Sequence, residues 1–218
     1  MFRTRGHAKR LLSGGGLLLT LCDVALVSVG FSSWATSQDG IGPFFVPVSV
    51  EVGPVIDEGG LFSFHDVSGF SLCQDGIVDG STKTIVDNAT IKLTLEIDCA
   101  KARDAGYVTN DVFSASFILE TNNTDNPNLL NFVSSLTADE SALTLTGVTR
   151  NPAVGDTGAF STRSADYSLA SFPTTKTKSI ALVYAVSATY VVGSTTHTLS
   201  SLYGKLPSLK FIVKGGTA

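Results

Sequence analysis

Between Thr90 and Asp98 the chain reads TIKLTLEID, with Ile91, Leu93, Leu95 and Ile97 at every second position and Lys92, Thr94, Glu96 and Asp98 between them. Successive side chains of a strand point to opposite faces, so this alternation predicts a half-buried strand. Residues 179–192, SIALVYAVSATYVV, are rich in β-branched residues and run longer than an ordinary strand. They predict a long edge strand or a bent strand passing between sheets. Residues 113–119, 143–148 and 209–213 are further strand candidates. Residues 44–52 form another, which Pro47 restricts to an edge or an irregular start. Turn signals fall between these runs at Asp75-Gly76, Asp79-Gly80, Asn151-Pro152 and Gly155-Asp156. Asn and Asp residues within 125–136, and the stretch 137–142, suit a short capped helix. Strands punctuated in this way predict an all-β fold, a β-sandwich or jelly roll in one domain.

The front of the chain follows a different pattern. Arg3, Arg5, Lys9 and Arg10 precede a mostly apolar run from Leu11 to Phe31, interrupted by Gly14, Gly15, Gly16 and Asp23. Ser33-Trp34-Ala35 then offers small residues at the −3 and −1 positions of a cut before Thr36. A basic start, an apolar stretch and a small-x-small site together make an export signal. Residues 1–35 are therefore expected to be a signal peptide in helical form, and 36–218 the β-sandwich domain. The competing reading is an uncleaved anchor, because about 20 apolar residues can span a bilayer. Asp23 opposes a permanent span, since a central acid costs roughly 2.5–3.5 kcal/mol on insertion scales. A lipoprotein cut before Cys22 would need a small residue where Leu21 stands. The membrane thus enters only through this segment, with signal peptidase as the export partner.

The stretch Gly30-Phe31-Ser32-Ser33-Trp34-Ala35-Thr36, with Asp39 shortly after, resembles the signal-peptide end of TasA/camelysin-type proteins. Those proteins leave the cell through a SipW-type signal peptidase. Ser37 stands where that pattern has an aromatic residue, which bears on the peptidase more than on export. The resemblance covers about 30 residues closely. It implies a secreted bacterial β-sandwich at the cell surface or in the extracellular matrix, of a kind that builds biofilm fibres.

Composition narrows the partners. After a cut at Ala35 the chain holds 11 Lys and Arg against 18 Asp and Glu, a formal charge of −7. Seven acids and no Lys or Arg lie between Thr36 and Thr82. Nucleic acid is therefore not an expected partner. The C-terminal KFIVKGGTA lacks the pattern of a wall-sorting signal.

No catalytic constellation, metal site or cofactor motif is expected, and the chain is not read as an enzyme. His65 and His197 show no HExxH arrangement, which a zinc peptidase of the kind assigned among camelysin relatives requires. Asp75 and Asp79 lack the spacing of a calcium loop, so two Asp-Gly turns explain them. Asn88-Ala89-Thr90 and Asn122-Asn123-Thr124 match the glycosylation sequon, a frequent tripeptide, and a bacterial source would leave both bare. Cys73 and Cys99 are the two cysteines beyond the leader. In an exported domain they suggest a disulfide, with two buried free thiols as the alternative.

Two functional readings follow. The first is a structural subunit of a surface or matrix assembly. Phe44, Phe45, Val46 and Val48 then form a candidate donor strand that adds to a neighbour's sheet edge. The same segment also suits the domain's own first strand. The second reading is a β-sandwich binding module for polysaccharide or a host surface. It needs exposed aromatics, for which Tyr107, Tyr167 and Tyr203 are the candidates.

Overall fold

In the computed structural model, residues 46–51, 60–79, 82, 84–150, 158–205 and 207–215 are described. The strands are β1 (Val46–Pro47), β2 (Ser49–Glu51), β3 (Phe62–Ser68), β4 (Ser71–Cys73), β5 (Gly76–Val78), β6 (Ile85–Val86) and β7 (Asn88–Asp98). After helix α1 (Cys99–Asp104) come β8 (Val108–Thr109), β9 (Val112–Thr121), β10 (Val133–Ala138), β11 (Ser141–Leu143), β12 (Thr146–Arg150) and β13 (Ala159–Leu169). The last are β14 (Thr177–Ser187), β15 (Thr189–Val192), β16 (Thr195–Thr198) and β17 (Ser208–Gly215). The described residues also include two 3-10 turns, Leu129–Phe132 and Leu199–Leu202.

The strands form an all-β sandwich, as the alternating pattern predicts. One sheet runs β11-β10-β14-β7-β3 and the other β12-β13-β9-β17-β2. The small sheet β1-β4-β5-β6 and the hairpin β15-β16 stand apart from these. Among the described residues, pairing is antiparallel except that β2 runs parallel to β17.

The core follows from period two. On β7, Ile91, Leu93, Leu95 and Ile97 are buried. On β14, Ile180, Leu182, Tyr184 and Val186 are buried as well. The register sets Tyr184 beside Ile91 and Leu182 beside Leu93, so the two inward rows lie on one face. The facing sheet contributes Phe113, Ala115, Phe117 and Leu119 from β9, and Leu209, Phe211 and Val213 from β17. All of these belong to one apolar cluster. Aromatic contacts stitch it together: Phe64 meets Phe211 edge-on at 5.3 Å, and Phe117 stacks on Tyr167 at 5.3 Å. Fully burying one such side chain stabilises by roughly 1.5–3 kcal/mol.

Two details of the expected elements change. The 179–192 run is not an edge strand: β14 lies between β10 and β7, and past Ala188 the run passes into β15 of the separate hairpin sheet, as the bent-strand alternative has it. Its buried Ile180, Leu182, Tyr184 and Val186 alternate with more exposed residues, so one face of this central strand meets the core. The helix expected within 125–142 is only the 3-10 turn Leu129–Phe132, followed by β10 and β11. There Asn128 accepts from the Leu130 N–H, and Asn131 accepts from the Asn128 N–H. The capping chemistry is present, but the buried run from Leu129 to Val133 commits the chain to the core after one turn. The α-helix instead lies at Cys99–Asp104, capped by Asp98 accepting from the Ala100 and Lys101 N–H groups at 3.1 Å each.

Candidate functional site

Residues 1–35, with the cleavage residues Ser33, Trp34 and Ala35, lie outside the described residues, as do Thr36, Phe44 and Phe45. Val46 and Val48 are described. Val46 pairs with Leu72 of β4, Val48 is buried, and its N–H donates to the Phe70 carbonyl at 2.9 Å. Ser49, Val50 and Glu51 then pair with Ser208, Leu209 and Lys210 of β17. In this structure the described part of the candidate donor segment therefore sits on its own domain, through two short ladders at sheet edges. Gly69 makes room for it: a Cβ there would stand 2.8 Å from the Val48 carbonyl oxygen.

The expected bridge between Cys73 and Cys99 is not present. Both are free, buried thiols. Cys73 ends a strand of the small sheet, and Cys99 opens α1 beside the β7 end of the main sheet. Each is accounted for by its own packing, as small apolar residues are. Burial pushes the Cys99 thiol above its ordinary value, outweighing the opposing bond from Thr175. A raised thiol is a poor nucleophile.

The tyrosines give no exposed platform. Tyr167 is buried, and Tyr107 and Tyr203 pack against the core. Tyr107 stacks on Phe113 at 6.1 Å and meets Phe62 edge-on at 5.2 Å. Among the described residues, the large exposed apolar side chains are Val67, Ile85, Val148 and Val191, all aliphatic. His65 lies 3.7 Å from Glu96 at the surface, and His197 faces Tyr190 in the hairpin. Among the described residues no group of three His, Cys, Asp or Glu is placed to hold a metal ion.

The structure gathers polar side chains at a stretch that the sequence marked only as a sequon and a helix cap, not as a binding site. Where β9 ends, the loop reads TNNTDNPN from Thr121 to Asn128. The Asn123 N–H donates to Thr121 Oγ1 at 3.2 Å, and that hydroxyl donates to the Ser208 carbonyl at 3.0 Å. The Ser208 N–H donates back to Asn122 Oδ1 at 2.9 Å. The Asp125 N–H donates to Asn123 Oδ1 at 2.9 Å. Side chains thus take over the backbone partners that a strand would supply, as short Asn, Asp and Thr side chains do in turns. Further along, Asn128 and Asn131 donate to the carbonyls of Phe160 and Gly158 at 2.7 and 3.1 Å.

One donor in this network is left over. Asn123 is 8% exposed, and its Nδ2 is buried without a hydrogen-bond partner. Beside it opens a recess of about 400 Å³ lined by Asn122, Asn123, Thr124, Asp125 and Lys205. Lys205 Nζ and Asp125 Oδ2 form an ion pair at 2.9 Å there. No family model, curated protein or solved structure matches the chain. Its chemistry therefore has to be read from this geometry. The signal available in the sequence was the density of Asn and Asp after a strand, which reads equally as a sequon and as a helix cap.

Proposed function

We propose that the chain is an exported bacterial structural protein of the cell surface or extracellular matrix, a subunit able to assemble into fibres. The leader pattern supports export, with Ser33-Trp34-Ala35 behind a basic and then apolar segment. The TasA/camelysin-like leader end supports the surface or matrix destination.

The observation that carries the assembly reading is the attachment of the terminal segment. Val46–Pro47 is joined to β4 by two register pairs, and Ser49–Glu51 to β17 by three. Ladders this short contribute few hydrogen bonds, so the main cost of detaching the segment lies in exposing Val48. The same segment can then occupy the equivalent edge of another copy, making the same contacts there. Exchange of an identical element is a low-cost route to association, and repeated head-to-tail exchange gives a filament. An apolar anchor such as Val48 supplies affinity in either setting.

Two experiments test this reading. N-terminal sequencing of secreted protein should find Thr36 within a few residues; intact Met1 on surface protein would establish the anchored form instead. Electron microscopy of the concentrated secreted protein should show fibres, and a uniform field of monomers would reject the assembly reading.

A further inference from the structure

We propose that the recess at the end of β9 is a binding site for a neutral, polyhydroxylated ligand, a sugar unit of a glycan. The inference stands apart from assembly and uses none of the terminal segment.

The lining decides the ligand class. Asn122, Asn123, Thr124, Asp125 and Lys205 carry amides, a hydroxyl, a carboxylate and an ammonium group, with no aliphatic or aromatic side chain among them. An apolar ligand would gain little there, because the lining is mostly polar. The two charges neutralise one another at 2.9 Å. An anion would have to compete with Asp125 for Lys205, and a cation with Lys205 for Asp125. What remains is a dense set of hydrogen-bond donors and acceptors without net charge. Sugar hydroxyls, each both donor and acceptor, complement such a set. At about 400 Å³ the recess has room for one sugar unit, and it lies largely open to solvent.

Asn123 supplies the second, independent observation. Its Oδ1 is occupied by the Asp125 N–H, so turning the amide over would set two donors against each other. The orientation is fixed, and Nδ2 is the donor without a partner. Leaving a buried donor without a partner is unfavourable, and an acceptor oxygen of a ligand offsets that. Nδ2 has no exposed surface in this structure, so a ligand oxygen reaches it only if side chains at the recess shift. Thr124 is exposed, and the Asp125–Lys205 pair is a surface ion pair of small worth. Both yield readily. Without an aromatic surface for stacking, binding should be weak for each sugar and gain strength on a polymer with many copies.

The test is a nitrogen-15 NMR titration of the full chain with chitotriose and with maltotriose, with inorganic phosphate and calcium chloride as charged controls. The expected result is saturable shifts of the Asn123 side-chain amide and the 122–125 backbone amides with at least one trisaccharide, in the millimolar range. The controls should leave those signals in place. Asn123→Asp keeps the acceptor and removes the donor, and should weaken binding at least tenfold. Because that change buries a carboxylate, Thr124→Val with Lys205→Gln is the surface companion. It should weaken binding several-fold with the thermal midpoint unchanged. Absence of shifts with both trisaccharides, shifts confined to another surface, or saturation by phosphate or calcium would each overturn the proposal. So would a companion variant that folds and binds as the parent does.

Discussion

Tyr184 of one sheet meets Phe211 of the other edge to face, with ring centroids 6.3 Å apart and planes at 72°. Phe211 also takes Phe64 and Phe117, at 5.3 and 5.9 Å, so Tyr184 joins an aromatic cluster between the sheets. Tyr184 is fully buried, and its hydroxyl has no hydrogen-bond partner. Edge-to-face packing supplies part of what this residue contributes, and the hydroxyl works against it. Tyr184→Phe keeps the ring and removes the unsatisfied group. The variant should be more stable than the parent by about 1 kcal/mol in denaturant unfolding. A loss of stability would mean that the hydroxyl has a partner in solution.

The same burial fixes a pH response. Burial pushes the Tyr184 phenol above its ordinary value, so the fold favours the neutral form. A group raised in the folded state keeps its contribution below the unfolded value, about 10 for tyrosine, and loses it as pH rises further. The thermal midpoint should therefore fall above about pH 10. The fall should be shallower in Tyr184→Phe. Tyr167, raised by burial and then by the charge of Asp139, supplies part of the remaining slope. Equal slopes in parent and variant would contradict this assignment.

The thiols give a chemical test of the core. Cys73 and Cys99 are free and buried, so neither should react with an alkylating reagent in the native protein. Both should react after denaturation without a reductant. A chain two hydrogens lighter than the free dithiol would restore the bridge that the cysteine count alone suggests.

Gly69 controls the terminal segment. A Cβ at this position would come within 2.8 Å of the Val48 carbonyl oxygen, a backbone atom with little room to retreat. Gly69→Ala should displace Val48 and break the bond from its N–H to Phe70 O. The expected cost is about 1–3 kcal/mol. Amide exchange at Val48 should speed up while exchange in β7 and β14 stays slow. Fast exchange throughout would show that the segment is integral to the core rather than separable from it.

The central strands were legible because burial on one face writes itself as alternation. Ile91 to Ile97 on β7 and Leu209 to Val213 on β17 are the clearest cases. β13 escaped notice because its inward positions include Ala165 and Tyr167 among Ser, Thr and Arg, a weak apolar signal. Its strand state comes from pairing with β9 and β12 on either side, which no local pattern records. Asp98 was visible as the last polar position of β7, but its second role as a helix cap depends on the backbone turning there. The recess was hidden for a related reason. Lys205 lies 80 residues beyond Asp125, and only the return of the chain into β17 brings them together. Asn123 looks like any loop asparagine until its burial is known.

The most direct measurement of the assembly account locks the terminal segment in place. Ser49 and Ser208 are register partners on β2 and β17. Neighbouring strands bring paired residues within the Cα separation that a disulfide requires. The double variant Ser49→Cys, Ser208→Cys should form a bridge within one chain when oxidised as a dilute monomer. Electron microscopy after concentration should then show monomers only, and adding a reductant should release the segment and give fibres. Fibres from the oxidised, internally bridged protein would contradict the account, and so would monomers before and after reduction.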